Sequence, residues 1–168
     1  MKHLGVVKAD AYGHGSVQVS RLLQESGADY LAVSSIDEAV ELRHNGITMP
    51  VLILGHTPKE EVSELIKNNI TQAVTCRAKA LEYSEEAVKC GGTLKIHIKV
   101  DTGMSRLGFP VAKESVEEIL KIGRLVYTDC EGMFTHFSKA DETDKTTTLE
   151  QIRAFLWMKE HLAAEGME

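Results

Sequence analysis

Six short apolar runs, each followed by a longer stretch whose hydrophobic residues recur at helical spacing, constrain this chain's fold more than any other feature. The runs are LGVVK (4–8), YLAVS (30–34), PVLILG (50–55), TQAVT (71–75), LKIHIKV (94–100) and the segment from Leu125 to Phe134. Val, Ile and Leu on consecutive positions predict strands, and unbroken apolarity predicts parallel strands buried on both faces. Helical spacing is set by Val17, Leu22 and Leu23; by Ala39, Val40 and Leu42; and by Val62, Leu65 and Ile66. It continues with Ala80, Leu81, Ala87 and Val88, then Val116, Ile119 and Leu120, and last Leu149, Ile152, Phe155, Leu156 and Leu162. Pro58 stands near the first turn of the third helix, and Gly27, Gly46 and Gly123 follow others, as start and stop signals should.

No low-complexity linker and no shift in composition divides residues 1–168, so one domain is expected. A row of βα units builds either an open doubly wound sheet or a (β/α)8 barrel. The glycine-rich YGHG after the first strand lacks the spacing of a dinucleotide loop, which favours the barrel. Six units do not close one. The expectation is an α/β chain forming a partial (β/α)8 TIM barrel of about six βα units.

A formal net charge of −6 and a sequence pI near 5.7 exclude the basic footprint of a nucleic-acid binder. Cys76, Cys90 and Cys130 lack zinc-site spacing and read as reduced, buried thiols of a cytoplasmic protein. No apolar run is long enough for a membrane span or a signal peptide, so no membrane association is expected.

Three segments carry chemistry. VVKADAYGHG (6–15) puts Lys8 at the end of the first strand, the catalytic face of a barrel. Its stem either lies along the rim with the ammonium in water, or its amine serves as a Schiff-base nucleophile. In KIHIKVDTGMSRLGF (95–109), alternation sets Lys95, His97 and Lys99 on one face and Ile96, Ile98 and Val100 on the other. His97 reads as a satisfied core or rim histidine, and Lys99 needs an anion that Asp101 can supply. Arg106, in a loop tightened by Gly103 and Gly108, suits bidentate recognition of an anion. CEGMFTHFSKADETD (130–144) ends a strand with His136, which is either catalytic or part of a polar rim network. The acidic run Asp141, Glu142 and Asp144 reads as a cap on the following helix, and no metal site is expected.

Together these segments resemble the alanine racemases. VVKADAYGHG resembles their cofactor-lysine motif, IHIKVDTGMSRLGF their second signature and MFTHFSKADE their histidine segment, with Asp10 where many relatives carry Asn. The resemblance implies a cytoplasmic isomerase that uses pyridoxal 5'-phosphate and interconverts L- and D-alanine for the cell wall, working as a homodimer. Lys8 is then the cofactor lysine and an acid/base group, and Tyr12 and Leu54 belong to the cofactor site. Arg106 touches the cofactor's phenolic oxygen and the substrate carboxylate, Lys99 matches a lysine often carried as a carbamate, and His136 bonds an arginine facing the pyridine nitrogen. That arginine, a tyrosine base and a C-terminal β domain are expected to be absent from these residues, so the chain alone is expected to be inactive. A racemase of serine or another small amino acid, and a non-catalytic pyridoxal-phosphate-binding barrel, are the alternatives.

Overall fold

The computed structural model describes residues 3–167. Strands β1 (Leu4–Val6), β2 (Tyr30–Val33), β3 (Val51–Ile53), β4 (Ile70–Val74) and β5 (Leu94–Asp101) pair in chain order. The two-residue β6 (Phe109–Pro110) pairs with the end of β5, and β7 (Thr128–Phe134) pairs with β5 from Leu94 to Lys99. Every pairing is parallel, as the unbroken apolar runs require. A single turn, α1 (Lys8–Gly13), follows β1 and leads into α2 (Ser16–Glu25). Helices α3 (Ile36–His44), α4 (Val62–Lys67), α5 (Arg77–Cys90), α6 (Lys113–Ile122) and α7 (Thr146–Ala164) follow the later strands. Their apolar stripes bury Leu42, Leu65, Ala80, Ala87, Ile119 and Met158 against the sheet. This is the α/β partial barrel expected from the sequence, and among the described residues β1 and β7 each pair with one strand only.

Three details depart from expectation. The sixth run enters the sheet only at Thr128, because Leu125 N still bonds Ile122 O at 3.0 Å and the chain is turning. α5 stops at Gly91, whose φ of +65 supplies a left-handed cap that the stop signals did not include. The thiols are not uniformly buried: Cys76 and Cys90 are exposed because they stand at the two ends of α5, while burial pushes the half-buried Cys130 thiol up to about 11.

A bulge divides β7. Ile96 pairs with Cys130 and His97 with Gly132, which leaves Glu131 as an extra residue. Downstream of it, Phe134 pairs with Lys99 and so shares the barrel-interior face with it.

Candidate active site

The ends of β5 and β7 build one wall of the site. Alternation along β5 turns Ile96, Ile98 and Val100 into the core between sheet and helices, and the opposite face carries Lys95, His97 and Lys99. Lys99 is only 6% exposed; its Nζ donates to Val100 O at 2.7 Å and lies 5.7 Å from the Phe134 ring centre. Burial lowers its pKa, Asp101 opposes this, and Arg106 adds to it. A Lys99–Asp101 ion pair, which the sequence left open, is not among those of the described residues. Instead the Asp101 carboxylate accepts the backbone N–H groups of Gly103 and Ser105 at 3.0 Å and of Arg106 at 3.1 Å. Burial raises its pKa, but those bonds outweigh it and hold the carboxyl below its ordinary value. Gly108 closes the loop at φ +121, where a Cβ would sit 2.6 Å from Lys99 O.

Lys8 leaves the barrel just after the buried Val7, and it opens a turn of unusual hand. Ala9, Asp10, Ala11 and Tyr12 all adopt left-handed backbone, with φ between 50 and 56. For residues with a Cβ this costs about 1 kcal/mol or more each. The turn is held by Ala11 N on Val7 O at 2.9 Å, Gly15 N on Asp10 O at 3.0 Å and Ser16 N on the Asp10 carboxylate at 2.7 Å. Ala9 N donates to the Glu38 carboxylate at 2.8 Å. Strain retained in this way is characteristic of functional sites.

His136 follows β7 at the same end of the barrel. Its pKa is lowered by burial and then by the positive charges of Arg106, Lys99 and Lys8. Leu54, Lys99, Arg106 and His136 line a single cavity of about 370 Å³, together with Leu52 and Phe134, and no Asp or Glu lines it. Tyr12 is 62% exposed and lies outside that lining. Cations converging without a carboxylate favour an anionic occupant. No cluster of possible metal ligands occurs among the described residues.

Residues that the motifs did not single out hold this arrangement. Gln151 of α7 is 2% exposed; its amide donates to Thr102 Oγ1 at 3.1 Å and to His136 O at 3.2 Å, and accepts Ser138 N at 2.9 Å. Its only signal in sequence is a polar side chain beside the apolar Leu149 and Ile152. Deeper in the barrel, Glu131 accepts from Tyr30 Oη at 2.7 Å and Thr71 Oγ1 at 3.0 Å, with Lys95 Nζ at 3.5 Å and His97 Nε2 at 3.7 Å. His97 therefore reads as an interior histidine of a polar layer, packed over Gly132 and beside Tyr30. Of the acidic run, Asp144 accepts Thr146 N at 2.9 Å at the start of α7, whereas Glu142 pairs with Lys139 at 3.4 Å.

The profile of the alanine racemase N-terminal domain matches residues 1–168. The alanine racemase of Clostridium tetani is 46% identical over 98% of this chain and 43% of its own length. Alanine racemase 1 of Clostridium acetobutylicum is 48% identical over the same shares. The solved alanine racemase of Clostridium difficile 630 superposes with a TM-score of 0.96 at 46% identity, over 100% of this chain and 44% of that one. A Bacillus anthracis alanine racemase with bound L-Ala-P superposes at 0.88 and 34% identity, over 100% of this chain and 43% of its own. The chain thus spans less than half the length of the relatives it matches. A partial barrel with a lysine opening a left-handed turn, an arginine loop closed on Asp101 and a histidine after the last strand agrees with that match along its whole length, and the chain belongs to the alanine racemase N-terminal domain family.

Proposed function

We propose that residues 1–168 are the barrel domain of a pyridoxal-phosphate-dependent racemase that interconverts L- and D-alanine. The observation that carries this reading is a single cavity lined by Lys99, Arg106 and His136 and by no Asp or Glu, at the end of the barrel where Lys8 opens its turn after β1. Pyridoxal 5'-phosphate with an amino acid brings phosphate, phenolate and carboxylate charges, for which the Arg106 guanidinium in that lining is a suitable partner. The residues fit it further: Lys8 offers an amine at the strand end, and Leu54 and Phe134 offer apolar surface for a ring. When bound, the cofactor supplies an electron sink that makes the Cα proton of an amino acid removable.

Lys8 would hold the cofactor through Nζ, and its amine would take and return the proton at the substrate Cα on one face. Arg106 would bind the substrate carboxylate and the cofactor's phenolic oxygen through its planar guanidinium. Lys99, kept toward its neutral form by burial, adds carbon dioxide at Nζ, loses a proton to solvent and becomes a carbamate anion that orients Arg106. His136, also held toward its neutral form, remains a hydrogen-bond partner and not a further cation. By the resemblance, Tyr12 would be near the phosphate. By family resemblance the second base and the pyridine-facing arginine come from other parts of a cytoplasmic homodimer that supplies D-alanine to the cell wall. Small-molecule binding is supported by the relatives solved with cycloserine and with L-Ala-P.

The test is borohydride reduction of the full-length protein with pyridoxal phosphate, followed by peptide mapping, alongside racemisation of alanine and of serine. Label on Lys8 and preference for alanine are expected. Label on another lysine overturns the site, and faster turnover of serine overturns the substrate.

A further inference from the structure

We propose that Glu38 is a positioning residue for Lys8: its carboxylate clamps the left-handed turn that follows Lys8 and thereby fixes where the lysine amine is presented. The proposal rests on the reading of Lys8 as the cofactor lysine. Ser35 caps α3, with its hydroxyl accepting Glu38 N at 3.4 Å, and Glu38 stands where a capping-box carboxylate reaches back to the chain before the helix. Such a box needs one acceptor oxygen. Here Oε2 serves that end, accepting Ser34 N at 2.7 Å and Ser34 Oγ at 2.8 Å. Oε1 crosses to a different element and accepts Ala9 N at 2.8 Å.

Helix capping does not require this second contact. Ala9 follows Lys8 directly and is the first of the four left-handed residues. Ser34 follows the last residue of β2, and β2 is the strand on which β1 is aligned, with Val6 opposite Ala32 and Val7 N bonded to Ala32 O at 2.8 Å. One carboxylate therefore ties Ala9 to the end of β2, and Lys8 stands in the chain between that tie and the Val7–Ala32 bond. Bonds from backbone N–H groups to a charged acceptor are the stronger kind, and two N–H groups and a hydroxyl converge here. Burial raises the Glu38 pKa, but those bonds outweigh it and hold the carboxyl below its ordinary value, so the clamp is charged at neutral pH.

The experiment compares full-length parent, Glu38→Gln and Glu41→Gln by amide hydrogen exchange and by the rate at which pyridoxal phosphate becomes borohydride-trappable on Lys8. Glu41 is an exposed residue of the same helix. In Glu38→Gln, Ala9 is expected to exchange about tenfold faster and trapping at Lys8 to slow by a similar factor, as suits loss of one charge-assisted bond. Amides of β4 should exchange as in the parent, and Glu41→Gln should match the parent throughout. Unchanged Ala9 exchange overturns the proposal, and so does faster exchange with an unchanged trapping rate. If β4 loses protection in Glu38→Gln, Glu38→Asp takes its place; being one methylene short, it should show the same two changes in smaller measure, and their absence overturns the proposal. Trapping in the parent on a lysine other than Lys8 overturns the cofactor reading instead, and Ala9 exchange then decides by itself whether Glu38 holds the turn.

Discussion

A lysine that is 6% exposed and bonds a single backbone carbonyl is a poor place to keep a positive charge. With Lys99 carried as a carbamate, as proposed, a signal from labelled carbon dioxide should appear by NMR in the full-length protein and vanish in Lys99→Ala. Turnover in that variant should fall about tenfold or more as Arg106 loses its orienting partner. Lys8→Ala should abolish racemisation and covalent trapping together, because one amine performs both tasks. His97 offers a test by pH. Burial lowers its pKa, with Glu131 partly opposing, so the unfolded chain binds the proton more readily than the folded one. Its stabilising contribution is therefore present above about pH 6.5 and lost as pH falls below it. Urea unfolding of the full-length protein should show stability rising between about pH 5 and pH 7, and His97→Gln should flatten that rise. Lys8, Lys99, Arg106 and His136 could be singled out as candidates in the sequence because each sits in a short contiguous motif. Glu38, Gln151 and Glu131 were not, because they act on partners 29, 49 and 101 residues away, and no local pattern records such distances.

At the level of elements, periodicity was sufficient to find the strands and helices, because buried parallel strands and amphipathic helices write different apolar spacings. It could not find β6, whose two residues have no period, nor the left-handed turn, whose Ala-Asp-Ala-Tyr sequence carries no glycine to announce it. The loop from Asp101 to Gly108 is the element on which Arg106 depends. Gly108→Ala would place a methyl against the Lys99 carbonyl at 2.6 Å and impose a strained φ of +121. A destabilisation of about 2 to 3 kcal/mol is expected from denaturant unfolding of the full-length protein. The KM for alanine should rise as Arg106 shifts. The bulge at Glu131 matters in a related way: it puts a carboxylate into the interior layer while leaving Phe134 beside Lys99.

For the whole molecule, the open sides of β1 and β7 decide behaviour. Leu4 and Val6 are 45% and 39% exposed, and both line the large cavity. Leu149, Ile152 and Leu156 leave an apolar stripe of α7 uncovered. A polypeptide of these 168 residues should therefore associate with itself, and sedimentation should show species larger than a monomer. A monodisperse monomer would contradict this. The strand order has a consequence for biosynthesis. From β1 to β5 each strand docks on the one translated just before it, and β7 then docks on β5. The sheet can consequently grow in the direction of ribosomal synthesis, each addition closing only a short loop. Lys8 and its turn, near the amino terminus, can be in place on the growing sheet before Lys99, Arg106 and His136 have left the exit tunnel.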